Sequence, residues 1–210
     1  MSRGAARTGL APRKAPVQAR GQRSIEKLLA ATHTVLRRDG AEAATTTAIA
    51  REAGVAVGSL YTYFPNKEAV ILALYEQKLV ELRAFAAEPM ARGGTWRETL
   101  AAWITAIKHR EREIGFDVAL FDAANHYGRL EEIAGRHARA MAQALAGAMR
   151  ALGSSWPDEA LFELGLNTYY LNAASWLYWR ALGRYDEKAV ERLAAAAVAV
   201  MAEAFEDPPA

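Results

Sequence analysis

The chain has 210 residues, 52% hydrophobic and 24% charged, which suits one compact domain or a small domain joined to a larger one. It contains 0 Cys, so disulfides, thiolate metal sites, thiol nucleophiles and iron–sulfur clusters are excluded. No apolar run reaches the roughly 18 residues of a membrane span, and the N-terminus lacks a secretory apolar core; the expectation is a cytoplasmic protein with no membrane contact. The net charge of +2 hides an asymmetry, because residues 1–67 hold 11 Lys/Arg against 4 Asp/Glu whereas residues 68–210 hold 15 against 20. A basic head on an acidic body fits a polyanion-binding module on a partner- or ligand-binding trunk.

Residues 1–22 carry Arg3, Arg7, Arg13, Lys14 and Arg20 with no acidic residue, three Gly and two Pro. They read as a flexible basic arm: a solvated tail, a segment lying along a nucleic-acid groove, or an Arg-rich transit peptide. From Ser24, a plausible N-cap, Ile25, Leu28, Leu29, Val35 and Leu36 recur at helical spacing until Gly40. A short helix follows over Thr46–Ala53, capped by Thr45, with Ile49 and Ala50 inward and Gly54 as its stop. A third spans Val57–Tyr63 before Pro65 and Asn66 break the chain.

The remainder reads as long helices over Lys67–Ala87, Trp96–Glu113, Phe116–His126, Arg129–Leu152, Pro157–Leu182 and Asp186–Phe205. No segment alternates with period two between turn signals, so the expected class is all-α. Residues 23–66 form a three-helix head and residues 67–210 a larger helical domain.

Two short helices joined by a Gly-containing turn and braced by a preceding helix have the form of a helix-turn-helix. The second helix must project far enough to enter a major groove about 12 Å wide. The first braces it and offers N-terminal amides to a phosphate. The string Thr45–Lys67, TTTAIAREAGVAVGSLYTYFPNK, resembles the DNA-binding domain of the TetR family of ligand-responsive regulators. The resemblance lies in Ile49-Ala50, Ala53-Gly54-Val55, Gly58-Ser59-Leu60-Tyr61, Tyr63-Phe64 and Lys67, and it covers about residues 24–75. Ala56 departs from the family pattern, which usually has Ser there, and so removes an N-cap hydroxyl.

On this resemblance the partner is a double-stranded DNA operator. Thr45, Thr47, Tyr61, Tyr63 and Lys67 contact phosphates, Val57, Ser59 and Thr62 lie nearest base edges, and Gly58 lets the backbone approach closely. Val57 and Thr62 replace the Arg or Lys that would read guanine edges, so readout rests on thymine methyls and hydroxyl contacts. Each residue has a plainer reading. The tyrosines can be core aromatics, although Leu60 and Phe64 already supply the inward stripe; Lys67 can be a surface charge, Val57 idle exposure, and Gly58 a helix defect costing about 1 kcal/mol relative to Ala.

In the trunk, residues 164–179 and 193–202 lack charged side chains. They are expected to be buried nearly all round, in a four-helix bundle across the two-fold interface of a homodimer. Aromatic and polar residues cluster in the same region, as either core or effector pocket. The resemblance implies a small-molecule effector here, and the residues chosen to line its site are Trp103, Phe121, Asn125 and Tyr169, with an apolar or aromatic ligand expected. His33 is read as a partly buried packing residue, the four His show no metal-ligand spacing, and no cofactor is implied.

Catalytic signatures are missing: no G-x-S-x-G, G-x-x-x-x-G-K, G-x-G-x-x-G, H-E-x-x-H or paired E-x-x-H appears. Glu111, Glu113, Asp117 and Asp122 read as solvated faces, and the expected function is non-enzymatic. The leading expectation is a repressor released from its operator when an effector tilts the helix starting near Lys67. The competing reading is a helical interaction module whose basic head binds anionic surfaces or another protein without sequence specificity.

Overall fold

The computed structural model describes residues 19–88, 90, 93–126 and 130–206. The basic arm therefore lies, through residue 18, outside the described residues. All regular structure among the described residues is helical: α1 (Ala19–Ala43), α2 (Thr46–Glu52), α3 (Val57–Tyr63), α4 (Lys67–Ala86), α5 (Trp96–Glu113), α6 (Val118–Asn125), α7 (Leu130–Ala151), α8 (Asp158–Ala173), α9 (Ser175–Leu182) and α10 (Glu187–Met201), followed by a 3₁₀ turn over Ala202–Phe205. The chain divides into two compact units. One runs through Gln77 and includes Ala119–Leu130; the other comprises Lys78–Val118 and the residues from Glu131 onward.

In the first unit, α1 buries Leu28, Leu29, Val35 and Leu36, and Thr32 fits among them because its hydroxyl donates to the Leu28 carbonyl at 2.7 Å. Gly40 (φ 81°, ψ 174°) breaks the helical path before a last short turn, which glycine permits without a Cβ penalty. Helix α2 packs on α1 and α3 on α2, with Ile49, Ala50, Leu60 and Phe64 wholly buried. Burial of each large side chain contributes about 1.5–3 kcal/mol. Gly54 (φ 67°) makes the tight turn between α2 and α3. Arg38 reaches Glu52 at 2.8 Å, tying α1 to α2, and also bonds Asp39, holding that carboxyl below its usual range. All three are solvent-accessible, so these pairs orient more than they stabilise.

In the second unit, α10 lies against α5 and α8. Glu187 at its start accepts from Arg112 at 3.4 Å and pairs with His109 Nε2 at 2.8 Å, both on α5. A capping box of Thr95 and Glu98 starts α5. Helices α7 and α8 approach so closely at Gly165 that an added Cβ would lie 2.6 Å from the Ala142 carbonyl oxygen.

Two expectations are corrected here. The helix expected over Pro157–Leu182 is broken at Ala174, where ψ flattens to −17° and the hydrogen bonds into Ala174 and out of it lengthen to 3.1–3.3 Å. Glu111 is not on a solvated face; it is buried beside buried Lys108, whose ammonium donates to both carboxylate oxygens at 3.1 and 3.2 Å. Burial pushes this carboxyl up from its usual value while Lys108 opposes the shift. Lys108 also lies 5.9 and 5.8 Å from the centres of the Trp176 and Trp179 rings. Within one chain the charge-free stretches are not buried all round: Tyr170, Leu171 and Leu177 are 56, 52 and 56% exposed, with Tyr178 and Leu182 also in solvent.

Candidate nucleic-acid interface

Helices α2 and α3 present one outer surface of short polar and aromatic side chains. Thr45 caps α2, its hydroxyl accepting from the Ala48 amide at 3.1 Å. Ala56 gives α3 no side-chain cap, and the Ser59 amide instead bonds the Ala56 carbonyl at 2.8 Å. The exposed residues are Thr45, Thr47, Gly58, Ser59, Tyr61 and Thr62; Val57, Tyr63 and Lys67 are half-buried. Leu60 and Phe64 hold the inner face, so the stripe four residues apart fixes which side of α3 faces out. No charged side chain occurs between Val57 and Phe64.

Tyr61 is held rather than free: its phenol oxygen lies 3.0 Å from the Thr46 hydroxyl at the start of α2. That bridge locks the ring across the two helices and lowers the entropy lost when it meets a partner. Thr62 donates its hydroxyl to the Gly58 carbonyl at 3.1 Å, leaving its oxygen as an acceptor. Lys67 donates to the Ala41 carbonyl at 3.3 Å; this uses one of three N–H groups and anchors the ammonium near the end of α1. The side chain of Asn66 accepts from the Ala69 amide at 2.8 Å and starts α4.

Gly58 is the informative position. It is exposed and its backbone is ordinary helix, with no heavy atom within 4 Å of where a Cβ would stand. Neither conformation nor internal packing requires glycine there, although it costs about 1 kcal/mol relative to Ala. Gly165, pressed on the Ala142 backbone, is the opposite case.

The four residues chosen for an effector fall in different units. Trp103 is buried and lines a cleft of about 570 Å³ within the second unit. Tyr169, also in that unit, is half-buried with its ring edge-on to His137 at 5.5 Å. Phe121 and Asn125 belong to the first unit, where the Asn125 amide donates to the Phe121 carbonyl at 2.7 Å. Sequence reasoning passed over two features. The Thr46–Tyr61 bridge spans 15 positions and leaves no periodic signal, whereas the Lys108–Glu111 pair was legible as an i, i+3 spacing.

A basic, all-helical chain with this head is a helix-turn-helix protein carrying a helical trunk. Residues 28–74 match the profile of the bacterial regulatory proteins of the tetR family, and the chain has the fold of TetR-family regulators. It is similar over 79 residues, at 30% identity, to the fatty acid metabolism regulator protein of Bacillus subtilis (strain 168); the match covers 38% of this chain and 41% of that one, so it spans about two-fifths of that relative's length. In fold it is similar to a tetR-family transcriptional regulator from Streptomyces coelicolor, with TM-score 0.68 at 18% identity over 87% of this chain and 82% of that one. A transcriptional regulator from Rhodococcus sp. Rha1 gives TM-score 0.67 at 21% identity over 88% and 100%. No helix among the described residues is long and apolar enough to cross a membrane.

Proposed function

We propose that the protein is a sequence-specific DNA-binding transcriptional regulator, a cytoplasmic repressor released from its operator by a small-molecule effector and active as a homodimer. The observation that carries this reading is Gly58, a glycine on the outer face of α3 that nothing in the chain itself requires. It is flanked by Tyr61, locked by Thr46, and by exposed Ser59 and Thr62. A duplex backbone or base edge is the partner that would use this space. Thr45, Thr47, Tyr61, Tyr63 and Lys67 then set register on phosphates, while Val57, Ser59 and Thr62 meet base edges.

The relatives' character as regulators and the absence of catalytic signatures both favour a non-enzymatic role. The exposed apolar side chains of α8 and α9 form the kind of patch that marks a protein contact. A two-fold partner seated there would cover them and bring two reading heads to two half-sites. That the similar Bacillus subtilis protein is called a regulator of fatty acid metabolism makes acyl compounds reasonable first effectors to screen.

The test uses duplexes selected from a random library by the intact protein. Gly58→Ala is expected to unfold at higher temperature, by up to about 1 kcal/mol of added stability, yet to bind the selected duplex at least about tenfold more weakly. Higher stability with unchanged DNA affinity would remove the reason for reading this surface as a DNA interface. If selection enriched no sequence, the competing reading as a nonspecific anionic-surface binder would be favoured.

A further inference from the structure

The cleft in the second unit is bounded by the end of α4, by α5 and by α7, and its volume of about 570 Å³ falls in the range of small-molecule sites. Its floor is α7, where Ala140, Ala144, Gly147, Ala148 and Ala151 carry nothing larger than a methyl group and Met141 and Gln143 of the same helix add larger side chains to the lining. From Ala140 to Ala151 that floor runs about 16 Å at the helical rise, so the space is a slot rather than a bowl. Gly147 repeats the logic of Gly58. It sits inside a 22-residue helix, no atom lies within 4 Å of its would-be Cβ, and glycine there costs about 1 kcal/mol relative to Ala. Packing does not explain it; open volume above the helix does.

The two charged residues that line the slot are Arg83 and Glu88. Arg83 stands in the last turn of α4 and lines the slot. Exposed Glu88, five residues further along, adds negative charge to the slot. Trp103 and Met90 supply apolar surface, and Met adapts readily to variable shapes. A guanidinium on the wall of a long, largely apolar slot complements a single anionic head on an apolar chain, and its planar donors suit a carboxylate.

We propose that this cleft binds an elongated apolar molecule ending in one carboxylate, with Arg83 taking the head group and the Ala144–Gly147–Ala148 face of α7 taking the chain. The proposal rests on the effector-binding reading above and deepens it by naming the ligand class. It narrows the expected apolar or aromatic effector to an amphiphile.

Dodecanoate, dodecan-1-ol and dodecyltrimethylammonium, each below its micellar concentration, are titrated into the full chain with tryptophan fluorescence and thermal shift as readouts. Dodecanoate is expected to bind at least about tenfold more tightly than the other two, the difference made by a charge-assisted head-group contact. Arg83→Gln should erase that preference, and Gly147→Leu should abolish binding while leaving the chain folded, since a side chain there meets open space. Equal affinity for all three probes, or dodecanoate binding unaltered by both substitutions, overturns the proposal. Operator affinity measured in parallel separates the two readings. Arg83-dependent binding without DNA release supports the site and counts against the effector reading. Release by another compound that is indifferent to both substitutions supports the effector reading and overturns the site.

Discussion

Tyr61 joins the fold to the proposed DNA contact in one side chain. It is 43% exposed, yet its hydroxyl bridges to Thr46, so removing that oxygen changes orientation more than stability. Tyr61→Phe should lower the affinity for a selected duplex about tenfold while shifting unfolding free energy by less than about 1 kcal/mol; calorimetry beside DNA titration checks both. Buried His137 makes a prediction of a different kind. Burial, then the charges of Arg83 and Lys108, push its imidazole down to about 3, so the folded protein keeps it neutral where the unfolded chain protonates it near 6.5. Stability attributable to this group is present above pH 6.5 and is lost as pH falls towards 3, by up to about 1.4 kcal/mol per unit. Glu111, whose carboxyl is pushed up by burial, changes stability in the opposite direction on acidification. Chemical denaturation of wild type and His137→Gln at matched pH isolates the histidine, and the variant's stability should fall less steeply below pH 6.5.

At the scale of helices, the contact between α7 and α8 depends on Gly165. A Cβ there would stand 2.6 Å from backbone that cannot swing away, so Gly165→Ala is expected to destabilise the protein by about 1–3 kcal/mol, read as a lower denaturation midpoint with unchanged slope. By contrast, helix α3 lies at Val57–Tyr63, as its flanking breakers and the Leu60–Phe64 spacing imply, and α5 spans Trp96–Glu113 as expected. These elements were legible because apolar period, caps and glycine stops agree locally. The break at Ala174 was not, since the surrounding stretch NAASWLYW holds no Gly or Pro to mark it. Glu111 departs from the solvated-face expectation for a related reason: a carboxylate's burial depends on whether a partner such as Lys108 is buried with it, which its neighbours in sequence do not show. At the proposed DNA interface, the residue types and the turn were legible in the sequence, but the hydroxyl bridge that locks Tyr61 and the carbonyl that holds Lys67 exist only once α1, α2 and α3 are packed.

For the whole molecule, the division of labour begins in its charge. The basic end of the sequence contains a head whose proposed reading helix has no cation of its own, so on the proposed reading sequence discrimination would rest on methyl, hydroxyl and backbone contacts, with phosphates supplying most of the affinity. In the proposed homodimer, two such heads would meet two half-sites, with the apolar side chains that α8 and α9 leave in solvent as the surface that joins the pair. Hydroxyl-radical footprinting of the intact protein on its selected duplex tests this account most directly. Two protected patches are predicted on one face of the duplex, related by an inverted repeat and centred about 34 Å or a multiple apart, fading steeply as salt rises. A single patch, or even protection along the duplex regardless of its sequence, would contradict it.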